Sequence, residues 1–120
     1  MLSAHDYLYR QASKLGGDID FLLSMADGKV ICSSITNPQK SSRQSAMSSA
    51  LLALSESFSK EALGEENKEL TISCNTGHAV IIRINENNQV ILLCLTSSDK
   101  TNLALLLRLA RDTASKIKFK

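Results

Sequence analysis

The sequence predicts an α/β (α+β) three-layer sandwich. A five-stranded antiparallel sheet carries one helix on one face and two on the other, in the order α-β-β-α-β-β-β-α. Three observations carry this. An Asp27-Gly28 pair lies between two short apolar runs, a strong hairpin signal because glycine supplies the positive φ of a tight turn. Residues 78–84 (HAVIIRI) and 89–95 (QVILLCL) are nearly continuously apolar, as strands covered on both faces are. Around them lie three stretches with apolar residues at helical spacing.

The first helix is expected over residues 3–15. Ser3-Ala4-His5-Asp6 has the form of a capping box, Ala4, Leu8, Ala12 and Leu15 recur at helical spacing, and Gly16-Gly17 ends the run. Ile19–Met25 and residues 29–33 are the first two strands, joined by Ala26-Asp27-Gly28. Residues 35–42 (ITNPQKSS) read as a polar loop, since Pro38 and its neighbours disfavour strand or helix. A long helix follows over residues 42–63. Met47, Leu51, Leu54 and Phe58 form one apolar stripe on it, and Gly64 closes it. Its second face carries Ala46, Ser49, Ala50, Ala53 and Ser57, small enough to admit another helix closely or simply solvated.

Residues 70–74 (LTISC) alternate apolar and polar, the pattern of a strand with one buried face. Asn75-Thr76-Gly77 and Asn85-Glu86-Asn87-Asn88 separate the last three strands, and short connections make such strands antiparallel neighbours. The last helix starts near Thr101. Leu103, Leu106, Leu107, Ala110, Ala114 and Ile117 face the core, with Arg108, Arg111, Asp112 and Ser115 opposite. Cations crowd its carboxyl end, where they oppose the helix dipole. No linker, repeat or low-complexity tract interrupts residues 1–120, which are read as a single domain.

Composition narrows the function. The chain has 120 residues, 43% hydrophobic and 22% charged, with a net charge of +2 and 4% aromatic residues. That charge is too small for a nucleic-acid binder, and the aromatics are too few for base stacking. No apolar run reaches the roughly 18 residues that span a membrane, so no membrane insertion is expected. The first six residues lack the basic-then-apolar order of a signal peptide, which points to a cytoplasmic protein. Cys32, Cys74 and Cys94 are odd in number, show no C-x-x-C spacing and sit in apolar runs, so they are expected as buried, reduced thiols.

Motifs for chemistry are missing. No P-loop pattern occurs, and no glycine opens a phosphate-cradling loop. His5 and His78 lie outside metal-ligand spacing, so no metal and no cofactor is expected. A Cys74–His78 pair would be a nucleophile and its base, but Cys74 shares an apolar phase with Leu70 and Ile72. Asp27 lacks a second carboxylate at fixed spacing and reads as a turn residue. The chain is expected not to be an enzyme.

One feature points outward. The strand Leu70, Thr71, Ile72, Ser73, Cys74 has neither proline nor charge. At a sheet edge it would offer open amides and carbonyls to another strand. A twofold homodimer through this strand and the small face of the long helix (Ala46, Ser49, Ala50, Ala53, Ser57) is therefore expected.

The element order, the hairpin SMADGKVICSS, the alanine- and serine-rich long helix and the stretch GHAVIIRINENNQVILLCLTSSDKTNLALLLRLARDTASKI together resemble the Roadblock/LC7 family. Within that family the chain looks most like the bacterial and archaeal, MglB-like members. Ala104 stands where the family often has glycine after Asn102-Leu103, and Asp18-Ile19-Asp20-Phe21 replaces a glycine-rich entry to the first strand. The resemblance implies a homodimer joined through the third strand and the long helix into one continuous sheet. It further implies a non-catalytic module that binds and regulates a Ras-like small GTPase. The alternatives are a scaffold or light-chain domain of a larger assembly, or a small-molecule sensor of PAS, GAF or profilin type.

Overall fold

The computed structural model describes residues 19–86, 88–98 and 102–116, together with Asp6 and Arg10. Asp6 and Arg10 are helical and exposed; the rest of the helix expected over 3–15, with its capping box, lies outside the described residues, as do Ile117 and Thr101. The elements are β1 (Ile19–Met25), β2 (Val30–Ser33), α1 (Pro38–Leu63), β3 (Glu69–Cys74), β4 (Gly77–Glu86), β5 (Gln89–Ser98) and α2 (Leu103–Lys116). The five strands form one sheet in the order β2-β1-β5-β4-β3, with every neighbouring pair antiparallel.

The hairpins form where the turn residues stand. In the first, Met25 N–H donates to the Lys29 carbonyl at 2.8 Å and Gly28 N–H to the Met25 carbonyl at 3.0 Å. Gly28 takes φ +95°, and the Asp27 carboxylate accepts the Lys29 amide at 3.0 Å. β2 is only four residues long, and its pairing slips: Leu23 opposes Cys32 but Ser24 opposes Val30, which leaves Ile31 as a bulge. At the second hairpin Cys74 opposes Gly77. A Cβ on Gly77 would lie 2.2 Å from the Ser97 carbonyl oxygen, so only glycine lets β4 approach β5 there.

Alternation across the strands builds two cores. Phe21, Leu23, Val80, Ile82, Ile84, Ile91, Leu93 and Leu95 point to one face, where Leu106, Leu109 and Ala110 of α2 cover them. Leu22, Ile81, Leu92 and Cys94 point to the other, under Leu52 of α1. The two described helices thus lie on opposite faces, and β5, between β1 and β4, is buried on both. α2 starts on Asn102, whose side chain accepts the Ala104 amide at 2.7 Å. Its exposed residues Arg108, Arg111, Asp112 and Ser115 are those expected on its outer side. Arg111 binds Glu69 with Nε 3.1 Å from Oε2, which pins α2 to β3.

Two expectations need correction, and one point left open is decided. The stretch 35–42 is not all loop: α1 begins at Pro38, four residues early. Asn37 caps it by accepting the Gln39 and Lys40 amides at 2.9 and 3.2 Å. Proline is harmful inside a helix but suits the first turn, where its missing N–H would have no partner. Cysteine burial is graded rather than uniform: Cys94 is buried, Cys32 partly so, and Cys74 exposed, because α1 covers Leu70 but not the end of the edge strand. Burial pushes the Cys94 and Cys32 thiols above their ordinary pKa. Finally, the apolar stripe of α1 does not face the sheet. The buried residues of α1 are Ser41, Ser45, Ser48, Leu52 and Ser59.

This packing is open to two measurements. Gly77→Ala forces backbone apart at β4 and β5 and is expected to cost about 1–3 kcal/mol, the usual range for overpacking, read as a lowered Tm. The Glu69 carboxyl is held below the usual carboxylate pKa, first by its hydrogen bonds from Arg111. A depressed folded pKa contributes stability above the unfolded value, about 4.3, and loses it as pH falls through the folded value. Glu69→Gln is therefore expected to destabilise slightly at neutral pH, with the difference from the unmodified chain vanishing on acidification in parallel denaturant titrations.

Candidate interaction surface

The serines of α1 explain which way the helix faces. Ser45 Oγ donates to the Gly28 carbonyl at 2.6 Å, Ser49 Oγ to the Ala26 carbonyl, and Ser59 Oγ to the Glu65 carbonyl at 2.6 Å. Ser41 Oγ lies 3.4 Å from the Ile35 carbonyl oxygen. These side chains are short and satisfied, so the helix sits close to β1, β2 and β5 without leaving buried hydroxyls unpaired. The four large apolar residues of the stripe are then turned away from the sheet, while Leu52 alone reaches into it. Leu54 and Phe58 are 70% and 69% exposed, and Met47 and Leu51 are exposed beside them. Met47, Ala50, Leu51 and Leu54 line a shallow apolar hollow of about 320 Å³.

The far end of α1 is anchored by charge. Arg83 of β4, only 13% exposed, binds Glu56 at 2.8 Å and Glu66 at 3.5 Å, and donates to the Asn67 carbonyl. Asn67 Nδ2 in turn donates to Ser55 Oγ at 2.9 Å and to the Glu69 carbonyl at 3.1 Å. This network fixes the turn between α1 and β3, and with it the angle at which β3 leaves the helix.

β3 is an edge, as the sequence required of a pairing strand. Its inner side is fully registered on β4, from Glu69 opposite Ile82 to Cys74 opposite Gly77. Thr71, Ile72, Ser73 and Cys74 are exposed, and Ile72 is 43% exposed. Leu70, Ile72 and Cys74 point to the α1 side of the sheet, the side that also bears the exposed stripe.

The residues expected at an interface divide accordingly. Leu70, Thr71, Ile72, Ser73 and Cys74 are together on the edge, with Leu70 partly buried. Of the small residues, Ala50 borders the exposed stripe. Ser49 and Ala53 instead line a concavity of about 240 Å³ with Ala26, Glu56, Arg83 and Val90, toward the β1–β2 turn. Ala46 lies against Gly28, where a Cβ would touch its Cα at 3.4 Å; Ala46 and Ser57 are otherwise exposed. The residues not foreseen as a surface are Met47, Leu51, Leu54 and Phe58. Their spacing was visible in the sequence, and the serines at 41, 45, 48 and 59 were the sign that a different face packs on the sheet.

No nucleophile pair forms at the edge. Cys74 and His78 occupy opposite faces, and His78 Nδ1 is hydrogen-bonded to Ser73 Oγ at 2.8 Å. Among the described residues no group of three or more His, Cys, Asp or Glu could hold a metal ion. Among them, too, no helix is long and apolar enough to cross a membrane.

No family model matches the sequence, and no curated protein matches it. Solved structures do share the fold. A Roadblock/LC7 domain from Streptomyces avermitilis superposes with a TM-score of 0.78 at 14% identity, over 92% of this chain and 91% of that one. The gliding protein MglB from Thermus thermophilus gives 0.77 at 16% identity, over 92% and 82%. An MglB with a tetrameric arrangement gives 0.78 at 14% identity, over 92% and 82%. The architecture is the Roadblock/LC7 fold, which MglB proteins share.

The outward stripe makes a prediction that separates it from the core. Leu54→Ala is expected to change stability by less than about 0.5 kcal/mol in dilute solution, as exposed substitutions do. Leu93→Ala, at a fully buried position, is expected to cost about 2–5 kcal/mol. Chemical denaturation at micromolar and lower concentrations checks both.

Proposed function

We propose that this chain is a non-catalytic, homodimeric interaction module that binds and regulates a Ras-like small GTPase in the cytoplasm. The observation that carries the reading is the open edge of β3 beside an exposed apolar helix stripe, on one side of a sheet of Roadblock/LC7 architecture. In this reading the whole chain, 1–120, is one module, and residues 3–15 form a third helix beside α2, completing three layers. Two copies add strand to strand at β3. Their α1 helices meet across the same axis through Met47, Leu51, Leu54 and Phe58, rather than through the small residues Ala46, Ser49, Ala53 and Ser57.

Area supports this choice of face. Burying a Leu, Met or Phe side chain is worth about 1.5–3 kcal/mol relative to leaving it exposed. Four such residues on one stripe, on the same side of the sheet as Ile72, are a surface that association stabilises and solvent does not. Regulation needs no catalytic group. The paired platform shifts a GTPase between its nucleotide states only by binding one state more tightly than the other. A light-chain or scaffold role differs in binding its partner without regard to nucleotide.

Two measurements test the proposal. Ile72→Lys places a charge on the pairing edge and is expected to convert the dimer to a monomer by light scattering, with thermal stability of the monomer retained. Pull-downs against small GTPases loaded with GTP or GDP are expected to show nucleotide-dependent capture. Nucleotide-independent capture favours the light-chain role, and a protein monomeric at high micromolar concentration overturns the dimer. A shift of Tm by metabolites, with no captured GTPase, points instead to the small-molecule sensor.

A further inference from the structure

The α1 stripe carries charge at both of its ends. Lys40 and Arg43 precede Met47 on the same helical face, and Glu61 follows Phe58, all at steps of three or four. All three charged residues are exposed. Among the described residues, none of them takes part in an ion pair within the chain, whereas Lys60 is held by Glu66 and Glu56 by Arg83. Their placement also runs against their own helix. Lys40 stands in the first turn, where the dipole is positive, and Glu61 in the last, where it is negative; the first turn holds no acidic residue at all. Nothing among the described residues of one copy rewards this arrangement.

A second copy would. Position 52 is the midpoint of Arg43 and Glu61 and, to within one residue, of Met47 and Phe58 and of Leu51 and Leu54. The stripe therefore reads the same in both directions, with opposite charges at its ends. We infer that it is a self-complementary lock: two α1 helices pair antiparallel about position 52, and Arg43 of each copy meets Glu61 of the other. The four apolar side chains then interleave between two symmetric ion pairs. A parallel pair would set Arg43 on Arg43 and Glu61 on Glu61. Lys40 and Glu61, which oppose the dipole of their own helix, lie toward the opposite pole of the facing one. The apolar residues supply the area, and the charges select orientation, register and a like partner, as flanking charges do in helix pairs generally.

This inference rests on the dimer proposed above and is tested separately from it. The full chain, Arg43→Glu, Glu61→Arg and the double variant are compared by sedimentation equilibrium at low and high salt. Each single reversal turns two attractions into two repulsions and is expected to weaken self-association about tenfold, with the loss reduced in high salt. The double variant is expected to associate as the original does. Mixing the two single variants is expected to restore association, because the stripe of one is then acidic at both ends and faces a stripe that is basic at both ends. Rescue on mixing shows that both single variants are folded, and a cooperative thermal melt of each shows it independently. If a dimer forms but single reversals associate like the original chain, or mixing rescues nothing, the lock is wrong and the dimer stands on β3. If the original chain shows no association at any concentration, dimer and lock both fall.

Discussion

Ser41, Ser45 and Ser48 seat α1 close against the sheet, and the rest of the molecular surface depends on that seat. A helix that packs through leucines stands off from a sheet and spends its apolar side chains beneath it. This one packs through hydroxyls that find carbonyl partners on the β1–β2 turn and on the segments leading into and out of the helix. Only Leu52 reaches the apolar core from the helix centre. Met47, Leu51, Leu54 and Phe58 lie on another side of the same helix, so the geometry that buries the serines exposes them.

The start of the exposed edge strand is nevertheless tied down. Arg111 ties β3 to α2 on one face of the sheet through Glu69. On the other face Arg83 ties β4 to α1 and to the turn that leads into β3. The edge strand is thus clamped at its first residue from both sides, while Thr71 to Cys74 project beyond the clamps. Pairing groups that keep their geometry before a partner arrives lose little conformational entropy when it does.

Much of this was legible in the sequence. Asp27-Gly28 marked its hairpin, and the double-sided apolar runs marked β4 and β5, because both signals are local. The antiparallel sheet, the edge at β3 and the outer face of α2 followed. The position of β5 beside β1 was not readable, since it joins residues some seventy positions apart without any turn between them. The face of α1 was not foreseen for a different reason: an apolar stripe says that a helix is amphipathic, not whether its apolar side meets its own core or something else. Cys74 was misplaced because alternation gives the side of a sheet a residue faces, while burial depends on whether a helix extends over that end.

The short, bulged β2 has a consequence beyond its own hairpin. A sheet open at both margins can keep adding strands and grow into fibres. Here one margin is four residues long, interrupted at Ile31 and unable to offer an unbroken row of amides and carbonyls. In the proposed dimer, strand addition would therefore be one-sided: a copy joined at β3 would leave β2 at each outer margin, and the sheet would stop at ten strands. On that proposal, the defect in β2 limits the growth that an exposed, pairing β3 would otherwise permit.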